Sequence, residues 1–168
     1  GDHLALLNVF NEWRESGYST AWCYENFVQI RSMRRARDIR EQLEGLCERV
    51  EIPPSSSPHD HDVVAKALTA GFFYNTAKLQ KNGTYKTVKN AHTVAVHPSS
   101  ALFKEEMPPR WLLYHELVFT SKEFMRQCLV IQPAWLVEIA PHYYTSADVK
   151  EAAGKKKLPN AKAAAGAG

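Results

Sequence analysis

The sequence lacks the motifs by which common catalytic sites are recognised. It contains no GxxxxGK[ST] stretch, whose backbone amides and lysine would hold a nucleotide's phosphates. It also contains no GxSxG or HExxH spacing for a nucleophile or a zinc ion. We therefore expect no catalytic residue, no ATP-hydrolysing site and no cofactor in this chain.

Cysteine, long apolar runs and net charge are also scarce. Cys23, Cys47 and Cys128 are odd in number and lack CxxC spacing, which argues against a disulfide framework or a zinc knuckle and fits a reducing compartment. No run approaches the ~18 apolar residues that span a bilayer, so no membrane partner is expected. The net charge of +3 is too small to indicate a nucleic-acid partner unless the cations cluster.

A stretch rich in proline and serine divides the chain. Residues 53–62, PPSSSPHDHD, disfavour both helix and strand and predict an exposed linker. The histidines and aspartates within it are adjacent to one another and rarely converge on one ion, so we predict no metal site. The division gives a helical part at 1–52, a strand-rich domain at 63–144 and a disordered tail at 145–168.

The part before the linker has helical periodicity. Asp2 is expected to cap a first helix that ends at Ser16-Gly17, and Ser19 to begin a second helix that runs through Phe27. A third helix is predicted to bury one face, because its apolar residues recur every three or four positions. Those residues are Met33, Ala36, Ile39, Leu43, Leu46 and Val50.

The part after the linker has the pattern of strands. A short helix over Val63–Leu68 is expected to end at Gly71, and a closing helix to begin at Pro133. Between them, strands are predicted at 72–79, 84–89, 93–97, 111–120 and 123–131, with a hairpin turn at Asn82-Gly83. The predicted fold is therefore α+β: a short α-helical bundle piece followed by a five-stranded OB-type β-barrel with flanking helices.

Two basic features are candidates for RNA contact. The predicted hairpin interleaves cations with an aromatic residue, as single-strand binders do: Lys78, Lys81, Tyr85, Lys86, Thr87 and Lys89. Because side chains alternate along a strand, Tyr85 and Thr87 share a face, and with Lys81 they are expected to matter more than Lys86. A sheet edge protected by lysines against pairing is the alternative.

The second basic feature lies in the third predicted helix. Its first half carries Arg34, Arg35 and Arg37, where the helix dipole favours acidic residues instead. Such a cluster indicates either an anion site on the phosphate backbone or arginines paired with acids of a larger protein.

Several of these stretches resemble the carboxy-terminal region of DEAH-box RNA helicases. WCYENF (22–27), RSM (31–33) and ARDIREQL (36–43) resemble the end of the helical ratchet domain of that family. The family's OB-fold is matched in order by AGFF (70–73), YKTV (85–88), VHPSS (96–100), WLLYHELV (111–118) and WLVEIAPHYY (135–144). The arginine-rich stretch at 33–38 most resembles the spliceosomal branch that remodels the activated spliceosome before the first splicing step.

The resemblance implies a role in pre-mRNA splicing in the nucleus. The parent helicase would use ATP and Mg²⁺, bound by RecA-like domains, to move along single-stranded RNA. This chain would supply a wall of the RNA channel and a docking surface for the RecA-like and winged-helix domains. Spliceosomal proteins, among them a glycine-patch activator, are further implied partners. The alternative is a protein-interaction scaffold within the spliceosome that makes no direct RNA contact.

Overall fold

The computed structural model of the protein describes residues 1–150. The helices in that range are α1 (Asp2–Glu15), α2 (Thr20–Glu25), α3 (Ile30–Arg49), α4 (His61–Phe72), α5 (Pro133–Ile139) and α6 (Ser146–Val149). The strands are β1 (Thr76–Leu79), β2 (Tyr85–Thr87), β3 (Thr93–Val96), β4 (Trp111–Phe119) and β5 (Glu123–Val130). No helix within residues 1–150 is long and apolar enough to cross a bilayer.

The five strands form a closed barrel in the order β1-β2-β3-β5-β4. All neighbours are antiparallel except β3 and β5, which pair in parallel. The Asn82-Gly83 turn joins β1 to β2, with Gly83 at a φ of +81°, a conformation that glycine adopts without steric cost. The α+β prediction of a five-stranded OB-type barrel with flanking helices is confirmed.

Alternation along the strands separates two apolar clusters. Inside the barrel lie Ala77, Tyr85, Val94, Leu112, Tyr114, Met125 and Cys128. Trp111 and Leu113, which alternate with Leu112 and Tyr114 along β4, pack outward against α4 and α5. The first half of β4 is therefore buried on both faces, whereas its last residues are mostly exposed.

The outer cluster is completed near the end of the described chain. The hydroxyl groups of Tyr144 and Thr76 lie 2.5 Å apart, and Tyr144 also donates a hydrogen bond to the carbonyl oxygen of Phe73. Burial raises the pKa of Tyr144 to about 12. The neutral phenol therefore ties α5 and the segment after it to the start of β1.

The helical part has a smaller core. Trp13 is fully buried against Cys23 and Met33, and its indole N–H donates to the carbonyl oxygen of Ser19 at 3.2 Å. Ser19 caps α2 as predicted, because its side chain accepts from the backbone N–H of Trp22 at 3.2 Å. This core joins α1, α2 and the first turns of α3.

The predicted buried face of α3 is only partly correct. Met33 is buried, but the other five residues of that face are exposed: Ala36, Ile39, Leu43, Leu46 and Val50. The periodicity shows that the helix is amphipathic, but it does not show which element covers the apolar side. No part of residues 1–150 buries it.

Asp2 does not cap α1 as expected. It lies in the first turn of the helix, and the N-cap residue is Gly1. Its carboxylate accepts instead from the Ser100 hydroxyl at 2.6 Å and from the backbone N–H groups of Ala101 and Cys128, both at 2.7 Å. One charged side chain of the helical part thus satisfies donors of two barrel segments that are distant in sequence.

Several element boundaries also differ from the predictions. Asp60, inside the predicted linker, accepts from the backbone N–H of Val63 at 3.1 Å and caps α4, which runs one residue past Gly71. The first strand therefore begins at Thr76 rather than at residue 72. Residues 146–149 form α6, so the predicted disordered tail starts too early, and its remainder from 151 to 168 lies outside the described residues.

Candidate nucleic-acid interface

Lysines of the β1–β2 hairpin meet on the outer face of the barrel. Lys78 and Lys86 are directly opposite each other in the strand register. Like charges at such positions repel unless an anion lies between them. Lys78 lies 4.8 Å from the centroid of the Trp111 ring, whereas Lys86 has no ion pair within residues 1–150. The pair therefore forms a site of local positive charge.

The structure places Tyr85 inside the barrel rather than on its surface. Only 6% of the residue is exposed, and its hydroxyl donates to the carbonyl oxygen of Pro109 at 2.6 Å. Burial raises the pKa of this phenol to about 12. The expectation that its ring is open to a base is therefore wrong, because that face of β2 points into the core. Tyr85 nevertheless contributes to the lining of a groove beside β2 and β3, so RNA contact at this residue stays a prediction.

The remaining predicted hairpin residues have different surroundings. The Thr87 hydroxyl accepts from the backbone N–H of His92 at 3.0 Å and stabilises the turn after β2. Lys89 pairs with Asp148 at 2.9 Å and lies 5.4 and 5.3 Å from the ring centroids of Tyr143 and Tyr144. Lys81 is exposed on the turn. Lys81 and Lys86 are thus the predicted lysines with the most available charge.

Asp148 is an acid whose charge is strongly stabilised. The backbone N–H of Thr145 donates to its carboxylate at 2.7 Å, and the Lys89 ammonium adds a second favourable contact. These interactions lower the pKa of Asp148 to about 2. Lys89 consequently has a permanent anionic neighbour at neutral pH, which weakens it as a phosphate ligand.

The predicted arginine cluster lies on α3, which packs against α2. Arg34 and Arg35 are exposed and have no ion pair within residues 1–150. Arg37 lies 3.5 Å from Asp38 and 5.4 Å from the centroid of the Tyr18 ring. The cluster is therefore divided into one arginine with local partners and two that extend into solvent.

A groove that the sequence did not reveal runs along β2 and β3. Its volume is about 680 Å³, and it is closed at the sides by the β1–β2 turn, the β3–β4 loop and the β4–β5 turn. OB barrels bind oligonucleotides on this face and between these turns. Lys122 contributes a cation to the lining, and Glu105 and Glu123 contribute acids.

Two exposed aromatic side chains line this groove. Phe119 is 77% exposed at the end of β4, and Phe103 is 46% exposed in the β3–β4 loop. Exposed aromatic rings beside cations offer stacking surfaces for bases. The sequence signal was an aromatic residue directly before a lysine-containing turn, but the exposure of Phe119 depends on how far β4 extends past the barrel.

Comparison with known families identifies the strand-rich domain. Residues 64–143 match the family described as the oligonucleotide/oligosaccharide-binding (OB)-fold. The matched segment begins within α4, contains all five strands and ends after α5. This range agrees with the barrel, its groove and its covering helices. Residues 64–143 thus form an OB-fold, and the match supports a similarity to the OB region at the carboxy terminus of DEAH/RHA helicases.

Proposed function

We propose that this chain is the non-catalytic carboxy-terminal accessory region of a spliceosomal DEAH-box ATP-dependent RNA helicase. In this proposal the OB domain binds single-stranded pre-mRNA in the nucleus. The RecA-like domains of the parent supply the ATP and Mg²⁺ sites. The winged-helix domain, spliceosomal proteins and a glycine-patch activator are its protein neighbours.

The observation that carries the RNA-binding proposal is the groove beside β2 and β3. An OB-fold match covers it, and Phe119 and Phe103 give it exposed aromatic surface. Base stacking on such rings contributes ~1–3 kcal/mol per base and tolerates any sequence. Lys81 and Lys86, one on the β1–β2 turn and one on β2, can neutralise phosphates of a strand that leaves the groove.

A direct test measures binding of a labelled oligouridine of about 12 nucleotides to the full 168-residue chain over a salt series. Phe119→Ala should weaken binding by ~1–3 kcal/mol with an unchanged salt slope, because a ring carries no charge. Tyr24→Ala is the matched control, since Tyr24 is 75% exposed but lies on α2 outside the groove.

Substitution of a lysine, unlike that of Phe119, should change the salt dependence of RNA binding. Lys86→Ala should reduce the salt slope by ~0.7, which is the contribution of one phosphate contact on a single strand. Lys66→Ala serves as the control, because Lys66 lies on α4 and pairs with Glu138 at 3.0 Å. If Phe119→Ala and Lys86→Ala both bind RNA as the parent chain does, the groove is not the RNA site.

A scaffold that binds only proteins is the second candidate. It is favoured by the apolar residues that α3 leaves exposed. Salt separates the two candidates, because phosphate neutralisation gives a steep loss of affinity with salt and an apolar contact does not.

A further inference from the structure

Phe119 and Glu123 lie side by side in the lining of the groove. They are directly opposite each other in the β4–β5 register. Such residues share one face of the sheet, with their Cβ atoms about 4.5–5.5 Å apart. The turn between them is closed by a hydrogen bond from the backbone N–H of Thr120 to the carbonyl oxygen of Lys122 at 3.0 Å. The backbone therefore holds a carboxyl-bearing side chain beside the exposed Phe119 ring.

The Glu123 carboxylate is free to accept hydrogen bonds from a ligand. It has no hydrogen bond and no ion pair within residues 1–150. Another acid of the same two strands does have a partner, because Glu116 lies 3.5 Å from Arg126. Glu123 thus offers its carboxylate oxygens to the groove rather than to a neighbouring cation.

The charges of the groove favour bases over phosphates in its interior. Two acids, Glu105 and Glu123, line the groove together with one cation, Lys122. A phosphate among them would be repelled by both carboxylates. Lys81 and Lys86 lie outside this lining, where they can neutralise the phosphates instead. A bound strand should therefore turn its bases toward Phe119 and Glu123 and its backbone toward the lysines.

A carboxylate beside a stacking ring distinguishes the bases by their hydrogen-bonding groups. A base of a single strand that stacks on an aromatic side chain leaves its Watson–Crick edge open to neighbouring groups. An ionised carboxylate can only accept hydrogen bonds. Cytosine carries an amino group at C4, which donates to such an acceptor. Uracil carries a carbonyl oxygen at the same position, and a carboxylate repels it.

We infer that Glu123 is a specificity-determining residue of the groove. It selects a base that carries an exocyclic amino group over uracil at the position stacked on Phe119. This inference rests on the proposed RNA-binding function, and it adds a sequence preference that stacking by itself does not supply.

The test compares oligocytidine with oligouridine, each of about 12 nucleotides, because the two are equal in length and charge and both carry pyrimidines. Fluorescence anisotropy with the full 168-residue chain at neutral pH should show oligocytidine binding about 5- to 10-fold more tightly. Oligocytidine in which both amino hydrogens are replaced by methyl groups keeps the ring and the charge but loses the donors. It should bind like oligouridine.

Two glutamate variants assign the preference to one side chain. Glu123→Gln has the same shape, but its amide can donate to uracil as well as accept from cytosine, so the ratio of the two affinities should fall to about 1. Glu116→Gln is the matched control, because it removes the same charge from β4 outside the groove and should leave the ratio unchanged. Far-UV circular dichroism of both variants should match that of the parent chain.

The outcomes separate this inference from the proposed function. Equal binding of the two oligonucleotides by the parent chain, with both weakened in Phe119→Ala, would overturn base selection and leave the RNA groove in place. The same ratio in the parent chain and in Glu123→Gln would assign the preference to stacking and would also overturn the inference. If neither oligonucleotide binds, the proposed function fails and the inference fails with it.

Discussion

The barrel and the helical part bury their apolar residues in different ways. The barrel encloses one cluster within its strands and a second between β4 and the helices, so that Leu112 and Leu113 are both fully buried. The helical part fully buries Trp13 and Cys23 but leaves apolar residues of α3, such as Leu43 and Val50, exposed to solvent. The contrast indicates that the barrel obtains its stability from its own residues, whereas the apolar side of α3 has no covering element within residues 1–150.

The largest expected loss of stability is at Tyr85, and it tests whether this ring fills the closed core of the barrel. Tyr85→Ala should lower the free energy of unfolding by ~3–5 kcal/mol, because it opens a cavity among the interior side chains. Tyr85→Phe should cost only ~0.5–1.5 kcal/mol, the net value of the hydrogen bond to Pro109. Urea unfolding at 25 °C measures both. If Tyr85→Ala is as stable as the parent chain, the Tyr85 ring does not fill the core, and it becomes a candidate for base stacking again.

A matched pair of leucines compares the two regions directly. Leu112→Ala should lower the free energy of unfolding by ~2–5 kcal/mol, since Leu112 is fully buried in the barrel. Leu43→Ala should change it by less than ~0.5 kcal/mol, because more than half of that residue is already in water. Thermal and urea unfolding measure both losses. If Leu112→Ala and Leu43→Ala lose similar free energies of unfolding, the contrast between the buried barrel and the exposed side of α3 is wrong.

A smaller effect is expected at the contact that joins the regions. Asp2→Ala removes the acceptor of three hydrogen bonds from Ser100, Ala101 and Cys128, and hydrogen bonds to charged groups contribute ~1.5–3 kcal/mol. We expect a loss of about that size in total, with faster amide exchange at Cys128 and Ala101. Asn8→Ala in the same helix is the control, because within residues 1–150 the Asn8 side chain bonds only to Glu12 on its own helix. Unchanged exchange at Cys128 would show that Asp2 does not couple α1 to the barrel.

The smallest expected effect is a loss of stability at low pH that comes from Asp148, at the edge of the barrel. The folded protein holds the pKa of Asp148 at about 2, below its ordinary value of 3.8, through the Thr145 backbone N–H and the Lys89 ammonium. Because the folded pKa is the lower one, this contribution to stability is present above pH ~4 and is lost as the pH falls toward 2. Carboxyl NMR should show Asp148 titrating near 2 in the parent chain and nearer to its ordinary value in Lys89→Met. A midpoint near 4 in both proteins would exclude the contact.

The sequence predicted where helices and strands lie better than it predicted which face of each one is buried. Periodicity located α3, serine chemistry located the start of α2, and Asn82-Gly83 located the hairpin. Alternation correctly placed Tyr85 and Lys86 on opposite sides of β2. Which side becomes the interior depends on closure of the barrel through β3–β5 and β1–β4 pairing, and this long-range pairing is not encoded in any local pattern.

The same limit explains the residues that sequence reasoning missed. Phe119 is exposed because β4 continues beyond the region covered by α4 and α5, a property of packing rather than of the residues beside it. Asp2 looked like a helix cap, because its short carboxylate suits that role. Its actual partners lie about a hundred residues away, at Ser100 and Cys128, and only the fold brings them together.

The contact of Tyr144 with Thr76 and Phe73 has a consequence for the order of events during protein synthesis. A ribosome releases the chain from its amino end, at ~5–20 residues per second. The start of β1 therefore emerges well before the tyrosine that holds it, and β5 must also emerge before the barrel can close. The nascent OB domain accordingly remains incomplete, with core side chains accessible to chaperones, until the segment after α5 has left the exit tunnel.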